Sequence, residues 1–331
     1  MKSSNTLASP AAPNLIVAIQ AGFDAITNHL TLILFPVTLD LFLWLGPRFK
    51  LTGLIGSLTN QLRDTYRFQD PGMLDLFNSL QSMWTGFAAQ FNLLISLRTY
   101  PVGIPSLMIS RVPIAAPTGF PATIEIETAP GVLGIWLLLT LGGLAAGTFF
   151  FILVAQAALG GGISFRKAVE DWPVASIKVF LLALLFAALV FIAILPGGLI
   201  LSLVALGGLS YGQCALLIYS GFVLWLILPL VFTPHGIIVN RDNLIAAVRA
   251  SASLMRRTLP TTMLFLLAAF LLSKGLDILW LIPEEDSWLL LIGIFGHGFV
   301  ATGLLASSFV YYRDSTLWVR RLVKAGRVSV T

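Results

Sequence analysis

Asn243-Leu244-Ile245-Ala246-Ala247-Val248-Arg249-Ala250 opens a short amphipathic stretch that runs directly into a membrane-length apolar segment. Asn14-Leu15-Ile16-Val17-Ala18-Ile19-Gln20-Ala21 opens another. The two align without a gap as far as Phe35 and Leu264, with identities at Asn14/Asn243, Leu15/Leu244, Ile16/Ile245, Ala18/Ala247, Ala21/Ala250 and Leu30/Leu259. A weaker copy begins near Phe165-Arg166-Lys167-Ala168-Val169. Self-similarity of this kind predicts one supersecondary unit written three times, here a helical hairpin preceded by an amphipathic helix. Chance alignment of Ala- and Leu-rich segments is the competing explanation.

Composition points the same way. Of 331 residues, 57% are hydrophobic and 11% charged, against about 25% charged in a soluble domain. An all-α, polytopic integral membrane protein follows. The single cysteine, Cys214, lies in an apolar run, which leaves no disulfide framework and no cysteine-based metal site. The net charge of +5 comes from basic residues that flank apolar segments rather than form one patch, which argues against nucleic acid as a partner. Met1 to Pro13 is rich in Ser, Ala and Pro and is expected to be disordered; it lacks the pattern of a secretory signal.

A spanning helix needs about 20 mostly apolar residues, and six stretches qualify: 22–45, 130–158, 176–204, 212–235, 260–281 and 287–311. Pro196-Gly197-Gly198 predicts a kink or an early end in the third, and Gly207-Gly208-Leu209-Ser210 a turn after it. The 159–175 loop holds Arg166 and Lys167, the 236–259 loop Arg241, Arg249, Arg256 and Arg257, and a basic tail (312–331) Arg313, Arg320, Arg321, Lys324 and Arg327. Loops 205–211 and 282–286 have no Lys or Arg. The positive-inside rule then places both termini in the cytoplasm and a long loop, 46–129, outside a bacterial inner membrane. All three amphipathic segments fall on the cytoplasmic face. Arg166, Lys167, Arg249, Arg256 and Arg257 there suit anionic lipid headgroups, although the same helices also serve as elbows that set the entry angle of the next span.

Within the outer loop, Met73, Leu76, Phe77, Leu80, Trp84, Phe87, Phe91 and Leu94 recur at steps of three and four, opposite Asp75, Asn78, Gln81 and Thr85. An amphipathic helix follows, started by Asp70 as cap and Pro71 at its first position. It is expected to lie on the outer leaflet or close over the bundle as a lid. Six prolines between Pro101 and Pro130 predict an extended segment, and Ala122 to Thr128 alternates as a short strand with no evident partner.

Charges inside the membrane are functional candidates. Asp40, Lys274 and Asp277 are expected to form one intramembrane charge cluster, either a clasp between helices or an ion pathway. Gln156, Gln213 and His297 are the candidates to line a polar route with it. The histidines have no partner at metal-ligand spacing, so no metal or cofactor is expected. Gly143-Leu144-Ala145-Ala146-Gly147 predicts close helix packing and hints at a homodimer. Pro283-Glu284-Glu285-Asp286 reads as a helix start. No GxSxG, HExxH, paired catalytic carboxylates or nucleotide fingerprint occurs.

The stretch His235-Gly-Ile-Ile-Val-Asn-Arg-Asp-Asn-Leu-Ile-Ala-Ala-Val-Arg-Ala-Ser-Ala-Ser-Leu-Met-Arg-Arg257 resembles an element of uncharacterised bacterial multi-helix membrane proteins, among them the membrane domain attached to some glycerophosphoryl diester phosphodiesterases. The likeness covers the last 150 residues or so. It implies an accessory membrane role; the soluble catalytic barrel of those enzymes has no counterpart here. The leading expectation is therefore a non-enzymatic scaffold or accessory subunit that contacts membrane lipids, a protein partner or a second copy of itself. A small transporter component comes second, and a lipid-metabolising enzyme with its site under the 73–94 helix third.

Overall fold

Asparagine side chains start both aligned segments. Asn14 Oδ1 accepts from the N–H groups of Ile16 (2.9 Å) and Val17 (3.4 Å), and Asn243 Oδ1 from that of Ala246 (2.8 Å). Such caps contribute about 1 kcal/mol each. The computed structural model describes residues 13–66, 70–111, 113–207, 209–324 and 326; the expected disorder of residues 1–12 and the tail residue Arg327 lie outside them. Asn14 opens α1 (Leu15–Thr27), and α2 (Leu34–Leu45) follows a single 3-10 turn, Leu30–Ile33. The two helices are bent by 92°, so the straight helix expected over 22–45 is instead a broken pair. His29, at φ −135° and ψ 52°, makes the break. Asn243 opens α10 (Leu244–Trp280), which has its own break at Thr258 (φ −118°), the position aligned with His29.

Pro260 explains the second break, because proline removes one helical hydrogen bond. Three threonines hold it in shape. Thr258 Oγ1 donates to Leu254 O (2.9 Å) and Thr261 Oγ1 to Thr258 O (3.0 Å). Thr262 Oγ1 lies 2.9 Å from Thr258 Oγ1 and 3.1 Å from the Tyr311 hydroxyl.

After α2 come β1 (Arg48–Lys50), α3 (Thr52–Tyr66), α4 (Pro71–Gln90), a 3-10 turn at Leu93–Leu97, α5 (Met108–Arg111) and β2 (Thr123–Glu125). β1 and β2 pair in parallel, Arg48 opposite Thr123, which supplies the partner strand. The remaining helices are α6 (Ala129–Gly160), α7 (Phe165–Gly207), α8 (Leu209–Ile227), α9 (Thr233–Val239) and α11 (Leu290–Lys324). α7 continues through Pro196 instead of ending there. Tyr219 Oη donates to the carbonyl of Ala193 (2.5 Å), in the turn before the proline. The chain is about 80% helical. Among the described residues, five helical runs are long and apolar enough to cross a membrane, six if α1 and α2 count as one bent span. It is an all-α, multi-span membrane protein.

α11 is the hub, packed against α1, α2, α6 and α10. Small residues let the helices close in. A Cβ on Gly22 would lie 2.3 Å from the Ser307 backbone nitrogen, Phe23 fills the face of Gly303, and Ser307 Oγ donates to Ile19 O (3.2 Å). Gly296 faces the Trp280 ring of α10, and Gly298 faces Pro36 and Val37 of α2. α11 also continues 13 residues past the expected span end, with Tyr312 and Ser315 buried, so most of the expected tail belongs to the helix.

The 46–129 segment departs furthest from expectation. Leu97 to Gly103 pack into the helix bundle. A Cβ on Gly143 would lie 2.2 Å from Leu97 O, and one on Gly147 would lie 2.6 Å from Gly103 Cα. The GxxxG face of α6 thus receives the end of the Leu93–Leu97 3-10 turn and the irregular backbone after it, not a second long helix. Gly143 and Gly147 flank the midpoint of the 32-residue α6, roughly 21 and 27 Å along its axis at 1.5 Å per residue. Val102 and Ile104 are buried in the core with Ile26, Leu32, Phe150 and Phe309. Irregular backbone at such depth is tolerated only where protein covers it. The expected lid is different again. α4 begins at Pro71 with Asp70 as cap (Gly72 N–H to Oδ1, 3.2 Å), but it pairs with α3 and leaves Leu76, Leu80, Trp84 and Phe87 exposed. Phe77 and Phe91 are half-buried. It does not cover the bundle.

Candidate intramembrane polar site

Asp277 is the centre of the intramembrane charges. It lies one turn before the end of α10, with its side chain 7% exposed. Lys274 Nζ donates to Oδ2 (2.9 Å), and His297 Nδ1 of α11 meets Oδ1 (2.8 Å). The carboxylate therefore fixes the histidine tautomer with Nδ1 protonated. Nε2 of His297 is buried and has no partner among the described residues, nor has Nε1 of Trp280. Lys274 is more than half exposed (side chain 55%), so its ammonium sits at the rim while its stem crosses apolar surface.

Asp40 is not a member of this ion pair, contrary to the sequence expectation. It is fully buried and accepts from Ser106 Oγ (2.5 Å), Leu107 N–H (3.0 Å) and Met108 N–H (3.1 Å). The reason is the inserted segment. Its return leg enters α5 at Met108, and its orphan N–H groups need an acceptor. Asp40 supplies that from α2, so its charge serves backbone instead of Lys274. Its helix still packs on α11 beside His297, where Pro36 and Val37 meet Gly298. Asp277, His297 and Asp40 thus bring α10, α11, α2 and the inserted segment to one level.

The expected polar lining is not assembled. Gln156 Oε1 accepts from Ser164 N–H (2.8 Å) and closes the α6–α7 turn. Gln213 is exposed on α8. Only His297 joins the charged group. Glu285 does not start a helix either, since α11 begins at Leu290. Instead it ties the outer segments together: Arg111 Nε (3.4 Å) meets Oε1, the N–H groups of Ile114 (2.6 Å) and Ala115 (3.2 Å) donate to Oε2, and Trp44 Nε1 donates to its carbonyl (2.8 Å).

At the other end of the helices, Arg241 (φ +57°) pairs with Asp171 (2.7 Å), and Lys178 Nζ donates to Arg241 O (2.7 Å). Arg166 pairs with Glu170 on the surface (3.0 Å). Lys167, Arg249 and Arg256 are exposed and Arg257 is half-buried. Arg256 edges an apolar groove of about 560 Å³ between α8 and α10, walled by Leu224, Trp225, Leu228, Met255 and Leu259. No group of three or more His, Cys, Asp or Glu among the described residues is placed to hold a metal ion.

Ser106 and Arg48 were not singled out from the sequence, and Glu285 was read there only as part of a helix start. Ser106 lies in a proline-rich stretch with no periodicity. Only the unpaired alternation of Ala122–Thr128 pointed to a second strand, and so to Arg48-Phe49-Lys50. Comparison of the chain with protein-family models, curated proteins and solved structures gives no match.

Proposed function

We propose that the protein is a non-enzymatic scaffold or accessory subunit of a bacterial inner membrane, built as three side-by-side hairpins with both termini cytoplasmic. One observation carries this reading. The apolar windows of α6 and α11 are 50% and 61% buried within the chain, whereas those of α7, α8–α9 and α10 are 19%, 11% and 17% buried. α8 packs chiefly on α7 and the 3-10 turn that follows it, and Leu217, Ile218 and Trp225 are exposed. Such an arm offers a broad face to lipid, to a protein partner or to a second copy. The groove edged by Arg256 fits a phospholipid whose headgroup lies at the basic end. The aligned breaks at His29 and Thr258, and the burial of the aligned Ala18 and Ala247, support the internal repeat.

A second reading, a small transporter component, is favoured by the Nε2 of His297 beside Asp277, buried and without a partner among the described residues. An intramembrane titratable pair of this kind is a common element of proton relays. Native mass spectrometry of the gently extracted protein decides between them. A stoichiometric protein or lipid partner upholds the accessory reading. A bare chain whose proteoliposomes show proton flux that Asp277→Asn abolishes replaces it with the second.

A further inference from the structure

Beyond the membrane helices, β1, the carboxyl end of α4 and the 113–114 segment enclose a cavity of about 180 Å³. Leu43, Ile95 and Met108 form apolar walls, and Arg48, Lys50, Gln90 and Asn92 supply the polar groups. Arg48 is only 7% exposed, and its Nη2 has no partner among the described residues. A buried guanidinium is normally paired, because leaving a charge uncompensated is costly. The opposing charge that acts on it is Glu285, whose oxygens already accept from Arg111 and the N–H groups of Ile114 and Ala115. Burial pushes the Arg48 guanidinium below its ordinary value and Glu285 offsets part of that, yet arginine stays charged near neutrality. Lys50 makes no ion pair among the described residues. Asn92 Oδ1 is held by the N–H groups of Phe49 (3.1 Å) and Leu94 (3.2 Å), which leaves its NH₂ as the group to offer a ligand.

We propose that this cavity binds an oxyanion, specifically a phosphate ester, seated on Arg48 and Lys50. Two cations and two carboxamides supply more donors than one carboxylate can accept, and arginine matches phosphate with a two-pronged bond. The apolar walls accept the first carbons attached to the phosphate. A lipid headgroup and a free phosphate share this chemistry. The site lies within one chain, so it stands whether or not a partner covers α7 and α8.

The test is thermal unfolding of the full-length protein in an uncharged detergent, titrated with short-chain phosphatidylglycerol, with inorganic phosphate, and with a diacylglycerol of the same chain length. A saturable rise of the midpoint with phosphatidylglycerol and none with diacylglycerol is expected, because a ligand that binds only the folded state stabilises it. The same rise with inorganic phosphate identifies a free anion as sufficient; a rise with phosphatidylglycerol alone identifies a lipid headgroup. Arg48→Lys is expected to weaken binding about tenfold, since it keeps the charge and loses the fork. Lys50→Gln, at a half-buried strand end, is expected to weaken binding while leaving the ligand-free midpoint in place. Absence of any rise, or equal rises in wild type and both variants, overturns the proposal.

Discussion

Two buried acids of one protein do different work, and their partners say which substitutions hurt. Asp277 holds a buried histidine and a half-exposed lysine. Lys274→Met is expected to cost about 1 kcal/mol or less, as for pairs open to solvent. Asp277→Ala strands the buried Nδ1–H of His297 and is expected to cost about 1–3 kcal/mol, the range for a buried donor left without an acceptor. Unfolding midpoints of the two variants in detergent check the order; equal losses would mean that Lys274 is no rim partner. Asp40 receives three donors from one hydroxyl and two backbone N–H groups. Asp40→Ala leaves all three buried without an acceptor, at about 1–3 kcal/mol for each stranded group. Hydrogen exchange at Leu107 and Met108 should accelerate by orders of magnitude, while exchange in α10 keeps its wild-type rate. Unchanged protection at those two amides would show that Asp40 does not hold the inserted segment.

Among the elements, that inserted segment is the feature most sensitive to a single methyl group. Gly143 and Gly147 touch backbone, where no side chain can swing away. Gly147→Val is therefore expected to expel residues 97–103 from the bundle, seen as proteolysis and rapid exchange there, with the particle mass in light scattering unchanged. A change of mass with the segment still protected would restore the helix-pairing role that GxxxG suggests in isolation. The contrast marks where sequence reading succeeds. Periodicity and caps are local, so Asn14, Asn243 and the Asp70-Pro71 start are legible from a few neighbouring residues. Partners are not local. Asp40 and Ser106 are 66 residues apart, and the stretch around Ser106 carries no periodicity that points back to Asp40. The apolar stripe of α4 is likewise visible in the sequence, but the stripe alone does not say that the bundle leaves Leu76, Trp84 and Phe87 uncovered. His297 was legible as a buried polar residue, and its bond to Asp277 was not, because the two lie on different helices.

At the scale of the whole molecule, charge placement assigns the two ends. Arg166, Lys167, Arg241, Arg249 and Arg256 gather at the end where α7 and α10 begin, bound to one another's segments through Arg241, Asp171 and Lys178. The 282–286 turn at the opposite end has no Lys or Arg and docks on Arg111 through Glu285, Leu281 and Pro283. Short loops rich in Lys and Arg stay on the cytoplasmic side, so the orientation we propose puts the first end in the cytoplasm and the Arg48 cavity outside. Replacement of Cys214 by Ser and introduction of single cysteines at Arg166, Asp75 and Glu284 tests this in intact cells. A membrane-impermeant maleimide is expected to label positions 75 and 284 directly, and position 166 only after the cells are opened. The reverse pattern would invert the protein, expose the Arg48 cavity to cytoplasmic phosphate and remove the outer leaflet as the source of its ligand. Labelling of all three positions in intact cells would contradict a closed membrane between the two ends and so reject the spanning arrangement itself.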